Sequence, residues 1–455
     1  MDLSRQAEQE ITQGVVRAVR AALAALPGGE EVRFGAREGA LQVAWRQAGA
    51  VALERVLAEV GTGFVGETRP CPCGAVQETD HSAEATWQTV LGPVRVRRAG
   101  YRCPTCHTAE IPLDARVGLS GERLSPGLRA LLSLFCAAVP FAEAGQLLHK
   151  AVGVRLSAKR AQLVSEAVGV RLQQVHDDQD GPPLGRLPAP VVRPRLSVGL
   201  DGVLSCTRET DEQGRLQWRE AKVGVFYTPL PQGAPGTGRR SRLTALPIPV
   251  DVADPESHSY VVHMGDWRRF AAKVWREGIR RGSAGVQELV VLSDGAEWIT
   301  SLRAEIFDGL DARVTHILDL RHAQEHLWAV ARACLGPAAE AWSAAPLADL
   351  SHGRVDALLT ALRALEPPTT EAATLVETTC AYYNTRRALL DYPRFRAQGY
   401  QIGSGVAESA CKRVVGQRQK GSGMHWLPSG AQAIGTLRAT ALSNRWAEVD
   451  ALCAA

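Results

Sequence analysis

The sequence predicts a multidomain α/β protein, and three observations carry that prediction. The chain has 455 residues, where a typical domain has about 100–200. Its middle alternates apolar strand-like runs with helical patterns. A Pro-, Gly- and Asp-rich stretch, HDDQDGPPLGRLPAP, separates that middle from a mostly helical first part and marks a domain boundary. Hydrophobic residues make up 45% and charged residues 22%, which excludes a disordered or collagen-like chain. Lys and Arg total 52 against 48 Asp and Glu, a net charge of only +4. Any surface for a polyanion must therefore come from local clustering.

Residues 1–66 read as a helical lead-in, with Ile11, Val15, Val19 and Leu23 at helical spacing and a break at Pro27-Gly28-Gly29. The absence of an apolar segment with a cleavage site predicts no signal peptide. The longest nearly apolar run, between Arg129 and Glu143, is shorter than the roughly 20 residues of a membrane span. A cytoplasmic protein with no membrane partner is expected.

Residues 67–118 form the second predicted module. WQTVLG and VRVRR flank Gly92-Pro93 as a hairpin, and four of the ten cysteines, Cys71, Cys73, Cys103 and Cys106, flank the hairpin in turn. Two close thiol pairs held apart by a hairpin suit one tetrahedral, structural Zn²⁺. The single residue between Cys71 and Cys73 is tighter than the usual spacing, and His81 and His107 are nearby substitutes. The other reading is four thiols without a metal.

Residues 119–181 carry two short helical patterns around a turn at Gly153–Ser157, the shape of a helix-turn-helix. Ser157 is a candidate N-cap for a helix presenting Lys159, Arg160, Gln162 and Ser165 to a major groove, against the alternative of a plain packing unit. A linker is expected at 182–194.

Three strands follow in RLSVGLDGVLSC, WREAKVGVFYT and SYVVH, then a helix in GDWRRFAAKVWREGIRRG, a strand in QELVVLSDGAEW, a helix from about Glu297 and a strand in RVTHILD. Together, 195–318 predict a mixed sheet. Residues 319–399 hold no convincing strand and predict helices broken at Pro337, Pro346 and Pro367-Pro368. A helix is expected from about Gly405 to Gln419, within a segment 400–428, and another over 429–455.

Three acids are candidates for chemistry. Asp201 and Asp294 each end a buried apolar run, where an uncompensated charge is costly. Carboxylates at the ends of neighbouring strands can converge, and Glu408 on the late helix is a candidate third. Hard oxygen ligands suit Mg²⁺ or Mn²⁺, and two such ions can hold the attacking and leaving oxygens of a phosphoryl displacement. Taken singly, either aspartate also reads as a helix cap, and Glu408 as a solvated residue. Basic residues cluster nearby. Residues 403–426 carry Lys412, Arg413, Arg418 and Lys420 beside Trp426, and 265–281 carry six cations against two acids. Phosphate tracking and base stacking compete there with solvated helix faces.

The Asp201 strand, the SDGAEWI segment, LDARVGLSGERLSPGLRALL and IGSGVAESACKRVVGQRQKGSGMHW resemble bacterial insertion-sequence transposases of the DDE type, in particular the ISKra-like group, over roughly residues 70–445. The resemblance implies a ribonuclease H-like core whose catalytic triad is Asp201, Asp294 and Glu408, holding two Mg²⁺ or Mn²⁺ ions. It implies a helical insertion between the last core strand and the Glu408 helix. It also implies cleavage and joining of double-stranded DNA at element ends and target, a homo-oligomer on DNA, and a bacterial, nucleoid-associated location. Asp319-Leu-Arg-His322 matches an Asp-x-x-His element of insertion-bearing relatives, with His322 orienting DNA or water. The competing reading pairs His322 with Glu325 on a helix surface. Two rival functions are a DNA-binding regulator that has lost catalysis and a ribonuclease H-like nuclease that cuts without joining.

Overall fold

The computed structural model describes residues 3–26, 33–119, 121–178, 195–230 and 252–455. The expected linker at 182–194 and the break at 27–29 lie outside them. The chain divides into two compact units, Met1–Arg171 with Ala447–Ala455, and Leu172–Trp446.

The first unit opens with α1 (Arg5–Ala24) and α2 (Phe34–Val60). A four-stranded antiparallel sheet follows, from β1 (Thr68–Pro70), β2 (Val76–Thr89), β3 (Gly92–Arg102) and β4 (Ala109–Glu110) in sequential order. In β3 the buried Val94 and Val96 alternate with exposed Arg95 and Arg97, the period-two pattern of a half-buried strand. Thr89 pairs with Gly92, so the turn falls at Val90-Leu91, two residues earlier than Gly92-Pro93 suggested. Trp87, Val94 and Val96 pack with Leu113 of α3 (Pro112–Val117) and Ala50 of α2.

Next come α4 (Pro126–Ala138), α5 (Phe141–Val152) and α6 (Ala158–Asp177). They share one core of Leu128, Leu132, Leu148, Ala161 and Val164. Gly153 ends α5 in the left-handed region, and Ser157 caps α6 by accepting from the Arg160 N–H. A Cβ at Gly145 would lie 2.9 Å from the Leu156 carbonyl oxygen, so the α5–α6 turn closes only over a glycine.

The second unit is built on a five-stranded sheet. Its strands are β5 (Arg195–Thr210), β6 (Leu216–Tyr227), β9 (Ser259–Met264), β10 (Glu288–Ser293) and β11 (Arg313–Leu318), with a two-stranded pair β7 (Pro229–Leu230) and β8 (Val252–Ala253) beside it. The order is β11-β10-β5-β6-β9; β5, β10 and β11 run parallel, while β6 is antiparallel to β5 and β9. One face packs on α7 (Trp267–Arg280) and α8 (Glu297–Ile306) through Leu196, Val198, Leu200, Phe270 and Ile299.

The helical segment after β11 comprises α9 (Leu320–Leu335), α10 (Ala339–Ser351), α11 (Val355–Arg363), α12 (Thr370–Thr385) and α13 (Tyr392–Ala397). Its core is continuous with Val290, Leu292, Ile317 and Leu318 of the sheet. Gly336-Pro337 and Pro367-Pro368 break helices as expected, but Pro346 lies inside α10. It is buried there, and packing offsets the lost backbone hydrogen bond. The late helix is interrupted: α14 (Gly405–Cys411) runs into a π-turn at Lys412–Gly416 and a short α15 (Gln417–Gln419). The expected single helix over 429–455 is two, α16 (Pro428–Leu442) and α17 (Trp446–Ala454), separated at Asn444, whose φ is +55°. No helix among the described residues is long and apolar enough to cross a membrane.

Candidate metal centres

The four cysteines meet. Their sulfurs all lie within 4.8 Å of one another, with Cys71–Cys73 at 3.3 Å, Cys71–Cys106 at 3.5 Å and Cys73–Cys103 at 3.7 Å. Four thiolates about 2.3 Å from a tetrahedral zinc would be separated by roughly 3.8 Å, so the cluster can hold a metal such as zinc with little rearrangement. Two tight loops build it. Cys71 is held by its N–H on the Ala75 carbonyl, with Gly74 at φ +89°; Cys103 is held by its N–H on the Thr108 carbonyl, and the Cys106 N–H points at the Cys103 sulfur. Cys71 and Cys103 are buried, while Cys73 and Cys106 are exposed. The Thr108 hydroxyl and N–H hold Cys106 down at about 6. At Cys71 the Cys73 N–H pulls the other way, but burial and the neighbouring thiols push it up to about 12. His107 stays exposed outside the group, and the side chain of His81 lies outside the described positions.

The carboxylates belong to a second place. Leu200 pairs with Ser293 across parallel strands, so Asp201 and Asp294 follow at the same level on adjacent strands; Asp294 lies just past β10, but Asp201 does not end its strand as expected, since β5 runs on to Thr210 paired with β6. Gly199 brings α14 onto this end of the sheet: a Cβ there would sit 3.0 Å from that of Ala407 and 3.2 Å from Val225 Cγ1. Glu408, in the first turn of α14, and Cys411, one turn on, then act on Asp201 within β5. Burial first, then the charge of Asp294 and, more weakly, that of Glu408 raise Asp201 to about 6, although the Gly202 N–H and the Cys411 thiol favour its anion. Burial and Asp201 push Cys411 far up, so it remains a protonated donor.

The three carboxylates are spread more widely than a shared ion would hold them. Among the described residues the cysteines are the one group of three or more His, Cys, Asp or Glu with ligand atoms mutually within 4.8 Å. Like-charge repulsion favours that spread. Asp294 accepts from the Ala296 N–H at 2.9 Å in a turn that precedes α8, but it does not cap that helix, whose N-cap position is Ala296.

The raised Asp201 carries a stability consequence. The folded chain keeps the extra proton between about pH 4 and 6; above pH 6 the carboxylate is ionised in both states and its burial is fully unfavourable. This cost is absent below about pH 4 and is on the order of 1–3 kcal/mol at neutral pH. Asp201→Asn is therefore expected to raise the melting temperature at pH 7.5 without divalent cations and to lose that gain at pH 4. Calorimetry showing the same difference at both pH values would contradict this.

The support for Asp294 comes from residues the sequence did not single out. The Ser293 hydroxyl lies 2.7 Å from His316 Nε2 and accepts from the Gly295 N–H. Burial holds His316 at about 3, so it is neutral. From the helical segment after β11, the Tyr382 hydroxyl donates to the Asp294 carbonyl at 3.1 Å and Arg386 Nε donates to the Gly295 carbonyl at 2.9 Å. Gly295 has φ +78°, and a Cβ there would lie 2.6 Å from Leu318 and 2.9 Å from Arg386. Gly295→Ala is expected to cost about 1–3 kcal/mol, read as a lower urea midpoint at unchanged slope. An unchanged midpoint would show the turn to be unconstrained.

Asp319 is buried, and its two oxygens accept from the backbone N–H groups of His322 and Ser404. It caps α9 and ties β11 to the residue preceding α14, while the Ser404 hydroxyl reaches Glu408 at 3.4 Å. Its role is therefore tethering. His322 Nδ1 lies 3.9 Å from Glu325, as the surface-pair reading expected, but its Nε2 is 3.2 Å from that of His326.

Two expected nucleic-acid contacts are corrected. Arg418 is 1% exposed and Trp426 5% exposed; they stack on each other at 4.9 Å, and the indole N–H donates to the Gln419 carbonyl. Both serve the packing of the 417–426 segment against β5, whose Cys206 and Arg208 bond the Trp426 backbone. Arg413 is half-buried against Tyr260, whereas Lys412 and Lys420 are exposed. In α6, Lys159 and Arg160 are exposed and Gln162 is half-buried on Glu166; Ser165 is buried on its own helix and offers nothing outward. In α7, Arg280 bonds Glu277, Arg281 bonds the Ser257 carbonyl and Lys273 bonds Asp177, leaving Arg268 and Arg269 as its exposed cations.

No family model matches the chain, and a comparison with curated proteins finds no match.

Proposed function

We propose that the protein is a DDE-type DNA transposase with a ribonuclease H-like core. One observation carries this reading: the β5–β10 register sets Asp201, within β5, beside Asp294, just past β10, where the parallel pairing of these two strands stops, with Glu408 electrostatically coupled to the same place. The strand order supports it, three antiparallel strands extended by two parallel ones with helices on both faces.

Asp201, Asp294 and Glu408 would hold two Mg²⁺ or Mn²⁺ ions, and their all-oxygen donor set fits such hard cations. When bound, those ions supply charge stabilisation to the oxygens of an in-line phosphodiester displacement. The chain's own residues do the positioning. Tyr382 and Arg386 fix the Asp294 turn, Asp319 and Ser404 fix the start of the Glu408 helix, and Cys411 donates to Asp201. The cysteine cluster would hold one structural Zn²⁺. Lys159, Arg160 and Gln162 on α6, with Lys412 and Lys420, are the proposed contacts to double-stranded DNA, and a homo-oligomer would bring two element ends together.

Purified protein incubated with labelled DNA from the flanks of its own gene tests the reading. Nicked products in Mg²⁺ and none in EDTA are expected. Sequence-specific binding without nicking would favour a regulator that has lost catalysis.

A further inference from the structure

The first turns of α9 hold a feature that the carboxylate site does not use. His322 and His326 are four residues apart on one helix face, and their Nε2 atoms lie 3.2 Å apart. The rings meet at 83° with centres 4.9 Å apart. Two imidazoles converging on one ion at about 2.0–2.1 Å, with nitrogens this far apart, would have ring centres about 5 Å apart. The observed ring centres are the same distance apart.

Its surroundings hold it there. Tyr382 stacks on His326 with ring centres 4.2 Å apart, which fixes the ring while leaving its edge open to an in-plane ligand. Glu325 Oε2 lies 3.9 Å from His322 Nδ1, beyond hydrogen-bond reach but beside the ring nitrogen that is not Nε2, the side from which a carboxylate orients a metal-bound imidazole. The run His322-Ala323-Gln324-Glu325-His326 also has the His-x-x-Glu-His spacing that sets two imidazoles on zinc in one class of metalloproteins.

We propose that His322 and His326 form a two-nitrogen chelate for a borderline transition-metal ion, Zn²⁺ or Ni²⁺, completed by water. The ligands differ from the cysteine cluster and from the carboxylates, although Tyr382, which stacks on His326, also donates to the Asp294 carbonyl; the proposal stands independently of the phosphoryl-transfer reading. Imidazole pairs prefer such ions to Mg²⁺.

The test uses the full chain, loaded with zinc and then dialysed against increasing Ni²⁺, with bound metal measured per chain. One saturable Ni²⁺ is expected, with at least a tenfold loss of affinity in His322→Gln and in His326→Phe, which keeps a ring stacked on Tyr382. Asp201→Asn should bind Ni²⁺ as the parent does. Absence of saturable binding, or a loss in only one of the two histidine variants, would overturn the shared chelate. A loss in Asp201→Asn equal to that in the histidine variants would assign the ion to the carboxylates instead.

Discussion

Asp201→Asn, Asp294→Asn and Glu408→Gln are each expected to reduce Mg²⁺-dependent strand cleavage by at least about 10³-fold while leaving DNA affinity within a few-fold of the parent. The size follows from what each carboxylate would hold: removing one ligand from a shared cation site removes charge stabilisation at both oxygens of the displacement. Groups that act as a unit are not additive, so the triple variant should be little slower than the slowest single one. Asp319→Asn should behave differently. Its carboxylate is spent on the His322 and Ser404 N–H groups, so its loss should lower stability as well as rate. Gel-based cleavage beside filter-binding affinity separates these outcomes, and single variants that keep more than a tenth of the parent rate would count against the triad.

The second large effect concerns the cysteine cluster. Cys103→Ser is expected to abolish retention of one zinc per chain and to unfold the module built on β1–β4. The core under this small sheet is limited, and structural zinc contributes roughly 10–16 kcal/mol to folding in comparable small modules. Cys334→Ser, at a thiol far along the chain outside the cluster, should leave zinc content unchanged. Metal analysis after gel filtration, with near-ultraviolet dichroism to follow Trp87 and Tyr101, reads both. Full zinc content in Cys103→Ser would contradict the assignment.

Much of this was legible in the sequence because the signals were local. The apolar runs before Asp201 and Asp294 marked β5 and β10, and the parallel register that aligns those aspartates follows from burying both runs in one sheet, although β5 continues past Asp201 to Thr210 on its pairing with β6. The cysteine pairs could be read from spacing and an intervening hairpin. Gly153 and Ser157 marked the α5–α6 turn through backbone chemistry alone.

What could not be read depends on contacts distant in the chain. Tyr382 and Arg386 reach the Asp294–Gly295 turn from nearly ninety residues away, and no periodicity marks them. Arg418 and Trp426 have the composition of a nucleic-acid surface yet stack on each other in the interior, because Gln419 and the β5 backbone satisfy the segment around them. Pro346 would normally end a helix, and only tertiary packing keeps α10 continuous through it. The π-turn after Cys411 is equally silent in the sequence, and such turns concentrate at functional sites.

Strand transfer decides whether the three carboxylates carry phosphoryl transfer: a labelled DNA end with a ready 3′-hydroxyl is offered to the purified chain with plasmid target and Mg²⁺, beside the Glu408→Gln variant. Covalent end–target product from the parent chain, absent in EDTA and in Glu408→Gln, is the predicted result. Equal joining by the variant, or cutting by the parent that never yields a joined product, would contradict the account.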